Sequence, residues 1–366
     1  MAGIDVMIIG MLSSASASSA MHIIGLQNSK NTLLASPGNR LALGKNGEWK
    51  KVLAESSMEA LPLPKLVEVL QHLQNQNKRH IAVVDNTSDD GVASFYPKFI
   101  QAGFSIATPN KKAFSGSLEH YSAILHTALQ PEIIQKGPLV YQESTVGAGL
   151  PIISTLDDLV TTGDKIKKIE GVLSGTMSYI FNEFSPPQGS TRKFSEIVTV
   201  AREKGYTEPN PGDDLSGSDV ARKLTILSRL IPDLANALPE GFKSVDTQSL
   251  TPAGLLDEKD ADTYVKRLPE FDAEFDEMRA KAQANNSVLR YVGLIDVENK
   301  VIRAGLQPYP VDHAFATSLG GSDNIISFST ERYSPRPLLV QGAGAGAEVT
   351  AMGVVADLIR IAQRRM

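Results

Sequence analysis

The chain has 366 residues, 42% of them apolar and 21% charged, with a formal net charge of -5; this is the balance of a globular chain long enough for two domains, each with a core. A negative total with only short Lys/Arg clusters argues against a nucleic-acid surface, no apolar run approaches the ~18 residues of a membrane span, and the start MAGIDVMIIG lacks the basic region of a secretory signal, so a cytoplasmic setting is expected. The absence of cysteine removes disulfides, iron–sulfur clusters and thiolate nucleophiles, and six histidines without an HxxxH pair argue against a zinc-hydrolase site.

In chain order, Val6–Gly10 (VMIIG) reads as a buried strand and Ile23–Leu26 as the next. Pro64–Gln74 has helical spacing. Ile81–Asp85 (IAVVD) is a strand running into Asn86-Thr87-Ser88. Ser94–Ala102 is helical. Ser105–Thr108 is a strand ending at Pro109-Asn110-Lys111-Lys112, Leu118–Leu129 a helix, and Leu139–Glu143 (LVYQE) a strand that enters a glycine-rich turn. Strands alternating with helices predict a doubly wound parallel sheet. Ligands then sit at the carboxyl ends of the strands, where Thr87, Lys111 and Glu143 fall.

The texture changes near residue 151. Ile169–Val172, Val288–Val297 and Val301–Leu306 read as strands; Phe194–Glu203, Leu215–Leu230 and the charged Ala261–Asn285 read as helices, the last with a solvated face. This predicts a second, α+β domain. Leu338–Gln341 is a strand that leads through Gly342-Ala343-Gly344-Ala345-Gly346 into a final helix with Val349, Met352, Val355, Ile359 and Ala362 at helical spacing. The expected division is 1–150 with a return at 341–366, and 151–340. The basic clusters Lys165–Lys168 and Arg360–Arg365 are short, and the second complements a helix C-terminus.

Asp219 and Lys223 lie four residues apart on a predicted helix and share a face, beside a core stripe of Val220, Leu224, Leu227 and Ile231. An ammonium held by a carboxylate can stabilise charge growing on an oxygen and protonate it. The same spacing also describes an ordinary surface ion pair, and Ser216-Gly217-Ser218-Asp219 a capping box. Glu208, fixed in extended backbone by Pro209, heads an acidic loop with Asp213 and Asp214; it reads as a cradle for a substrate ammonium or as a hydrated loop. Ser174-Gly175-Thr176 opens a helical run, either as a carboxylate-binding turn or as a plain N-cap. In Glu143-Ser144-Thr145-Val146-Gly147-Ala148-Gly149-Leu150, one carboxylate and several carbonyls that flexible glycines can aim suit a hard cation such as Na+ or K+; the alternative is a simple turn. His313 reads as a loop or core residue.

Two of these stretches, GVLSGTMSYIFNEFS from Gly171 and GYTEPNPGDDLSGSDVARK from Gly205 to Lys223, resemble homoserine dehydrogenase of the short, monofunctional fungal type, a resemblance running from about Val83 to the C-terminus. It implies a nucleotide domain at 1–150, a catalytic and dimerisation domain at 151–340, and a final helix packed on the first domain. The implied activity is the interconversion of L-aspartate 4-semialdehyde and L-homoserine by a homodimer in threonine and methionine biosynthesis, with NADPH or NADH. Lys223 would be the proton donor and Asp219 its orienting partner. Gly175, Thr176, Tyr206, Glu208 and Asp214 would meet the amino-acid substrate. Thr87, Ser88 and Lys111 would lie near the nicotinamide, with Gly342 and Gly344 beside the cofactor. Glu143 and the carbonyls of Val146, Ala148 and Leu150 would hold the monovalent cation. The lack of cysteine fits, since reducing a semialdehyde needs no thioester whereas forming one from an acyl phosphate does.

The sequence departs from the pattern at the dinucleotide fingerprint. Of G-x-G-x-x-G only Gly10 stands; Leu12 and Ala15 replace the other two glycines. Only MLSSASASSA separates Gly10 from Met21, whereas a strand–helix–strand unit takes ~30 residues, so this crossover is expected to be very short, irregular or disordered. After the second strand, Gln27-Asn28-Ser29-Lys30 offers no acid for a ribose hydroxyl, which leans towards NADPH. The runner-up is a non-catalytic relative with an impaired dinucleotide site that serves as an amino-acid binder or dimer partner.

Overall fold

The structure, a computed structural model, describes residues 4–10, 21–43, 48–128 and 137–365. It divides into two compact units, Met1–Gly149 with Gly346–Met366, and Leu150–Ala345. Among the described residues no helix is long and apolar enough to cross a membrane.

The first unit is built on a seven-stranded sheet. Its strands are β1 (Ile4–Gly10), β2 (Met21–Gln27), β3 (Asn31–Leu34), β4 (Met58–Glu59), β5 (Ile81–Asn86), β6 (Ser105–Ala107) and β7 (Val140–Tyr141), in the order β4-β3-β2-β1-β5-β6-β7. β2, β1, β5, β6 and β7 run parallel. Strands covered on both faces are near-continuously apolar, as in Val6, Met7, Ile8 and Ile9 of β1, all buried, while the buried Asp5 near its start is paired with Arg79 at 2.7 Å. β3 and β4 add an antiparallel edge that periodicity alone did not predict. The chain leaves β1 towards β2 on one side and later returns through β5 on the other. The topological switch point therefore lies at the carboxyl ends of β1 and β5, where Gly10 pairs with Asn86.

Around this sheet lie α1 (Trp49–Ala54), α2 (Leu63–Asn77), α3 (Asp90–Ser94), α4 (Tyr96–Gln101), α5 (Lys112–Ser115) and α6 (Leu118–Ala128). The helix expected over Ser94–Ala102 is two short ones that meet at Phe95. The strand expected to reach Glu143 ends at Tyr141, and Glu143–Thr145 forms a 3-10 turn instead. The Ser/Ala crossover at 11–20 lies outside the described residues.

The second unit carries a six-stranded sheet of β8 (Ile166–Val172), β9 (Asp246–Thr247), β10 (Ser287–Asp296), β11 (Val301–Pro310), β12 (Asp323–Thr330) and β13 (Leu338–Ala343), in the order β13-β12-β8-β10-β11-β9. Its helices are α7 (Ile153–Thr161), α8 (Gly175–Phe184), α9 (Phe194–Glu203), α10 (Pro211–Leu215), α11 (Ser218–Arg229), α12 (Ala261–Arg267), α13 (Asp272–Ala284) and α14 (Ala314–Thr317). Two single-helix expectations are corrected here. Leu215–Leu230 is interrupted at Gly217, and Ala261–Asn285 at the 3-10 turn Leu268–Phe271, where Pro269 lacks the N–H a continuous helix needs. β13 pairs with β12 and so belongs to the second sheet. His313 accepts the Phe315 N–H through Nδ1 at 3.1 Å as the cap of α14.

The last helix, α15 (Ala347–Arg365), packs into the core of the first unit, with Val354, Leu358 and Ile361 against Val6, Ile8 and Val84. The expected stripe is thereby rotated: Met352 and Ile359 are exposed, and the buried face takes in Gly353 and Asp357.

Candidate active site

In the second unit, β8 ends at Val172 and the chain turns through Leu173 into α8. Ser174 is its N-cap and accepts the Met177 N–H at 3.2 Å, so the capping alternative holds for this residue. Thr176 instead points its hydroxyl at the Tyr206 carbonyl (2.6 Å) and at Oδ1 of Asp214 (2.8 Å). The Glu208 N–H donates to Oδ2 of Asp214 at 2.8 Å. Asp214 thus joins Thr176, Tyr206 and Glu208 across more than thirty residues of sequence. Burial lifts its carboxyl from the usual 3.8 to about 6, and the nearby Glu208 and Asp219 carboxylates push it the same way, against the hydrogen bonds from Thr176 and Glu208. Proton counting agrees. Thr176 has one hydroxyl hydrogen and faces two acceptors, so full donation to the Tyr206 carbonyl leaves Oδ1 opposite an oxygen.

Lys223, on α11, is 6% exposed. Its ammonium lies 2.8 Å from Oδ2 of Asp219 and donates to the Leu173 carbonyl at 2.5 Å. That carbonyl also accepts the Asn324 Nδ2–H at 3.2 Å. Asp219 is half exposed, so the pair has one buried and one wet member, unlike two surface charges. The stripe of Val220, Leu224, Leu227 and Ile231 is buried and fixes this face of the helix. The helix begins at Gly217, which has φ 75° and no side-chain cap, so the capping box expected over 216–219 is absent. A Cβ on Gly217 would stand 2.0 Å from the Tyr291 hydroxyl, so glycine is required by conformation and by space. Gly175 approaches the Ser322 carbonyl closely, and Gly344 has no room for a side chain beside Asn324; Gly342 pairs with Asn324 in the β12–β13 ladder. Asn324 has no local signal in the sequence, because it stands near the start of a strand 151 positions from the Leu173 carbonyl it grips.

In the first unit, Gly10, Thr87, Ser88 and Lys111 lie at the ends of or just beyond β1, β5 and β6, the crest where nucleotide ligands bind in such sheets. Gln27, at the end of β2, is occupied: its amide donates to the Leu61 carbonyl at 3.0 Å and accepts from Thr32 at 2.8 Å. Ser29 and Lys30 beyond it are exposed. The Glu143 side chain is buried and pairs with Arg360 at 3.2 Å, while its N–H donates to Asp357 at 3.0 Å. Gly147 and Ala148 are both left-handed, with φ of 74° and 57°. The Leu150 carbonyl accepts the Ile152 N–H at 2.8 Å. Among the described residues no group of three or more His, Asp or Glu side chains is arranged to hold a metal ion.

The family model for homoserine dehydrogenase matches residues 151–359, and that for the homoserine dehydrogenase NAD binding domain matches residues 15–132. The chain belongs to the homoserine dehydrogenase family. It is 45% identical to homoserine dehydrogenase of Saccharomyces cerevisiae over 94% of this chain and 90% of that one. A crystal structure of a Candida auris protein of unknown function superposes with a TM-score of 0.87 at 42% identity, covering 99% of each chain. A hyperthermophilic archaeal homoserine dehydrogenase in complex with NADPH shares the fold, with a TM-score of 0.67 at 20% identity over 100% of this chain and 98% of that one. Family membership makes this chain an NAD(P)-dependent oxidoreductase of amino-acid biosynthesis, and it overrides the missing fingerprint glycines as a guide to function.

Proposed function

We propose that this homoserine dehydrogenase reduces L-aspartate 4-semialdehyde to L-homoserine with NADPH, and catalyses the reverse oxidation, on the pathway to threonine and methionine. The observation that carries the residue assignment is the buried Lys223 ammonium paired with Asp219, whose carboxylate in turn acts on Asp214 together with Glu208. NADPH, when bound, would supply a hydride for the aldehyde carbon. As negative charge grows on the carbonyl oxygen, Lys223 stabilises it and gives it a proton; Asp219 holds the ammonium in place. Glu208 and Asp214 take the substrate ammonium, with the Thr176 hydroxyl tying Asp214 to the Tyr206 carbonyl and Gly175 leaving room at the helix start. In the oxidation, neutral Lys223 accepts the hydroxyl proton. Groups with this role are worth about 10²–10⁴-fold in rate.

The residues at the first unit's crest suit the cofactor. Gln27 is committed to the protein, no acid stands at the end of β2, and exposed Ser29 and Lys30 suit a 2′-phosphate, favouring NADPH over NADH. Gly10, Thr87, Ser88 and Lys111 are assigned to it, with Gly342 and Gly344 following the family resemblance. Glu143, Asp357 and Arg360 sum to one negative charge when ionised, which leaves room for one monovalent cation, with carbonyls of Val146, Ala148 and Leu150 as further ligands. A homodimer in the cytoplasm completes the proposal. The test is oxidation of L-homoserine by NADP+ with the purified chain, followed by nicotinamide absorbance. Production of semialdehyde at a rate that saturates in both substrates is expected. Absence of turnover under these conditions refutes the assignment.

A further inference from the structure

We propose that Asp85 is a positioning residue of the dinucleotide site, a buried carboxylate that cross-ties the two strand-end loops bearing Thr87 and Lys111 and so sets cofactor affinity without touching the cofactor. The inference rests on the dehydrogenase reading above.

Asp85 ends the apolar run of β5 and has no exposed surface. Its Oδ1 accepts the Thr87 N–H (2.8 Å) and the Thr87 hydroxyl (2.7 Å). Its Oδ2 accepts the Tyr96 hydroxyl (2.7 Å) and the Asn110 Nδ2–H (2.9 Å). Its backbone carbonyl accepts the Thr108 hydroxyl at 2.6 Å, and Thr108 in turn accepts the Asn110 N–H at 2.9 Å. One residue therefore gathers the loop after β5 and the loop after β6, and the Asn110 amide passes on to the Asp89 carbonyl at 3.1 Å. All four side-chain partners are neutral. A carboxylate buried among neutral donors is costly unless each lone pair is used, so its charge is a poor choice for stability alone. What it offers is four acceptor positions, with two loops held in one arrangement.

Asparagine has nearly the same shape but only one oxygen. Turned one way, its NH2 opposes the Thr87 N–H; turned the other, it opposes the Asn110 amide. Either orientation sets donor against donor and releases one loop. Asp85→Asn is therefore expected to raise the NADPH dissociation constant, read by nicotinamide fluorescence, and the KM for NADPH by at least about tenfold, the consequence of roughly one misdirected hydrogen bond to a charged group. The KM for the semialdehyde should stay within about twofold. Asp164→Asn is the matched control. That carboxylate is also buried, in the other unit, where it accepts the Thr330 hydroxyl at 2.7 Å; the variant should lower the melting temperature and leave both NADPH constants unchanged. If Asp85→Asn melts early but binds NADPH like the parent, the inference is overturned and the dehydrogenase reading stands. If the parent itself binds no NADPH, both fall. Should Asp85→Asn fail to fold, Tyr96→Phe removes one donor to Oδ2 and keeps the ring; a several-fold rise in the same two constants supports the inference, and unchanged constants overturn it.

Discussion

Replacing Lys223 with methionine separates catalysis from stability, because the structure makes the two costs unequal. The stem of Lys223 is buried, and methionine keeps most of its packing. The Leu173 carbonyl loses the ammonium but retains the Asn324 amide at 3.2 Å, so it is not orphaned. Asp219 is half exposed and stays hydrated. The stability cost is thus about one hydrogen bond, ~1 kcal/mol, or a melting shift of roughly 2–4 °C for a domain of this size. The catalytic cost is the proton itself. A loss of at least about 100-fold in kcat, or ~2.7 kcal/mol of transition-state stabilisation, should appear in both directions, with NADPH affinity unaltered. Initial rates and thermal melting on one preparation decide the matter. A folded variant with kcat within about threefold of the parent refutes proton transfer by Lys223.

Other outcomes follow from the same geometry. Because Asp214 must be ionised to hold an ammonium and its carboxyl is raised to about 6, the KM for L-homoserine should rise as pH falls below 6, approaching tenfold per pH unit; Asp214→Asn should raise KM at neutral pH and flatten that slope. Stability runs the other way: between the ordinary 3.8 and about 6 the folded state binds more protons than the unfolded chain, so Asp214 costs stability as pH rises through that window, and Asp214→Asn should melt higher at neutral pH. Gly217→Ala meets the Tyr291 hydroxyl at 2.0 Å in left-handed backbone, and should cost at least about 2 kcal/mol along with activity; an unchanged melting temperature would contradict the packing described. Asp357→Asn leaves Arg360 to neutralise Glu143, and should weaken activation by added K+ or Na+ in rate measurements; unaltered activation would remove this cluster from cation binding.

Much of this was legible in the sequence where one face dominates. β1 and β5 carry continuous apolar runs at Val6–Ile9 and Ile81–Val84, and the helical pattern over Phe194–Glu203 matches the helix to its ends. The stripe beside Lys223 is as periodicity predicts. The β3–β4 edge was not legible, because its strands are short and half-exposed. The stripe of the last helix is only partly as the spacing predicts: Val355 and Ala362 meet the core, but Met352 and Ile359 face outward, because the buried side takes in Gly353, for close approach, and Asp357, for the Glu143 N–H. The i,i+4 pair of Asp219 and Lys223 was visible, but not the burial of one partner. The grouping of Thr176, Tyr206, Glu208 and Asp214 depends on a chain reversal that no local pattern encodes; only the family resemblance put those residues together. Asp85 reads locally as the polar end of a strand, and its four hydrogen bonds come from neighbours up to twenty-five positions away.

The claim most at risk is that a crest lacking two fingerprint glycines still binds a dinucleotide. Titrating the purified chain with NADPH and following the reduced-nicotinamide fluorescence tests it without substrate or turnover. Saturable binding is predicted, with a dissociation constant in the range usual for enzyme ligands, roughly 1 μM to 1 mM. No binding up to millimolar NADPH would contradict it.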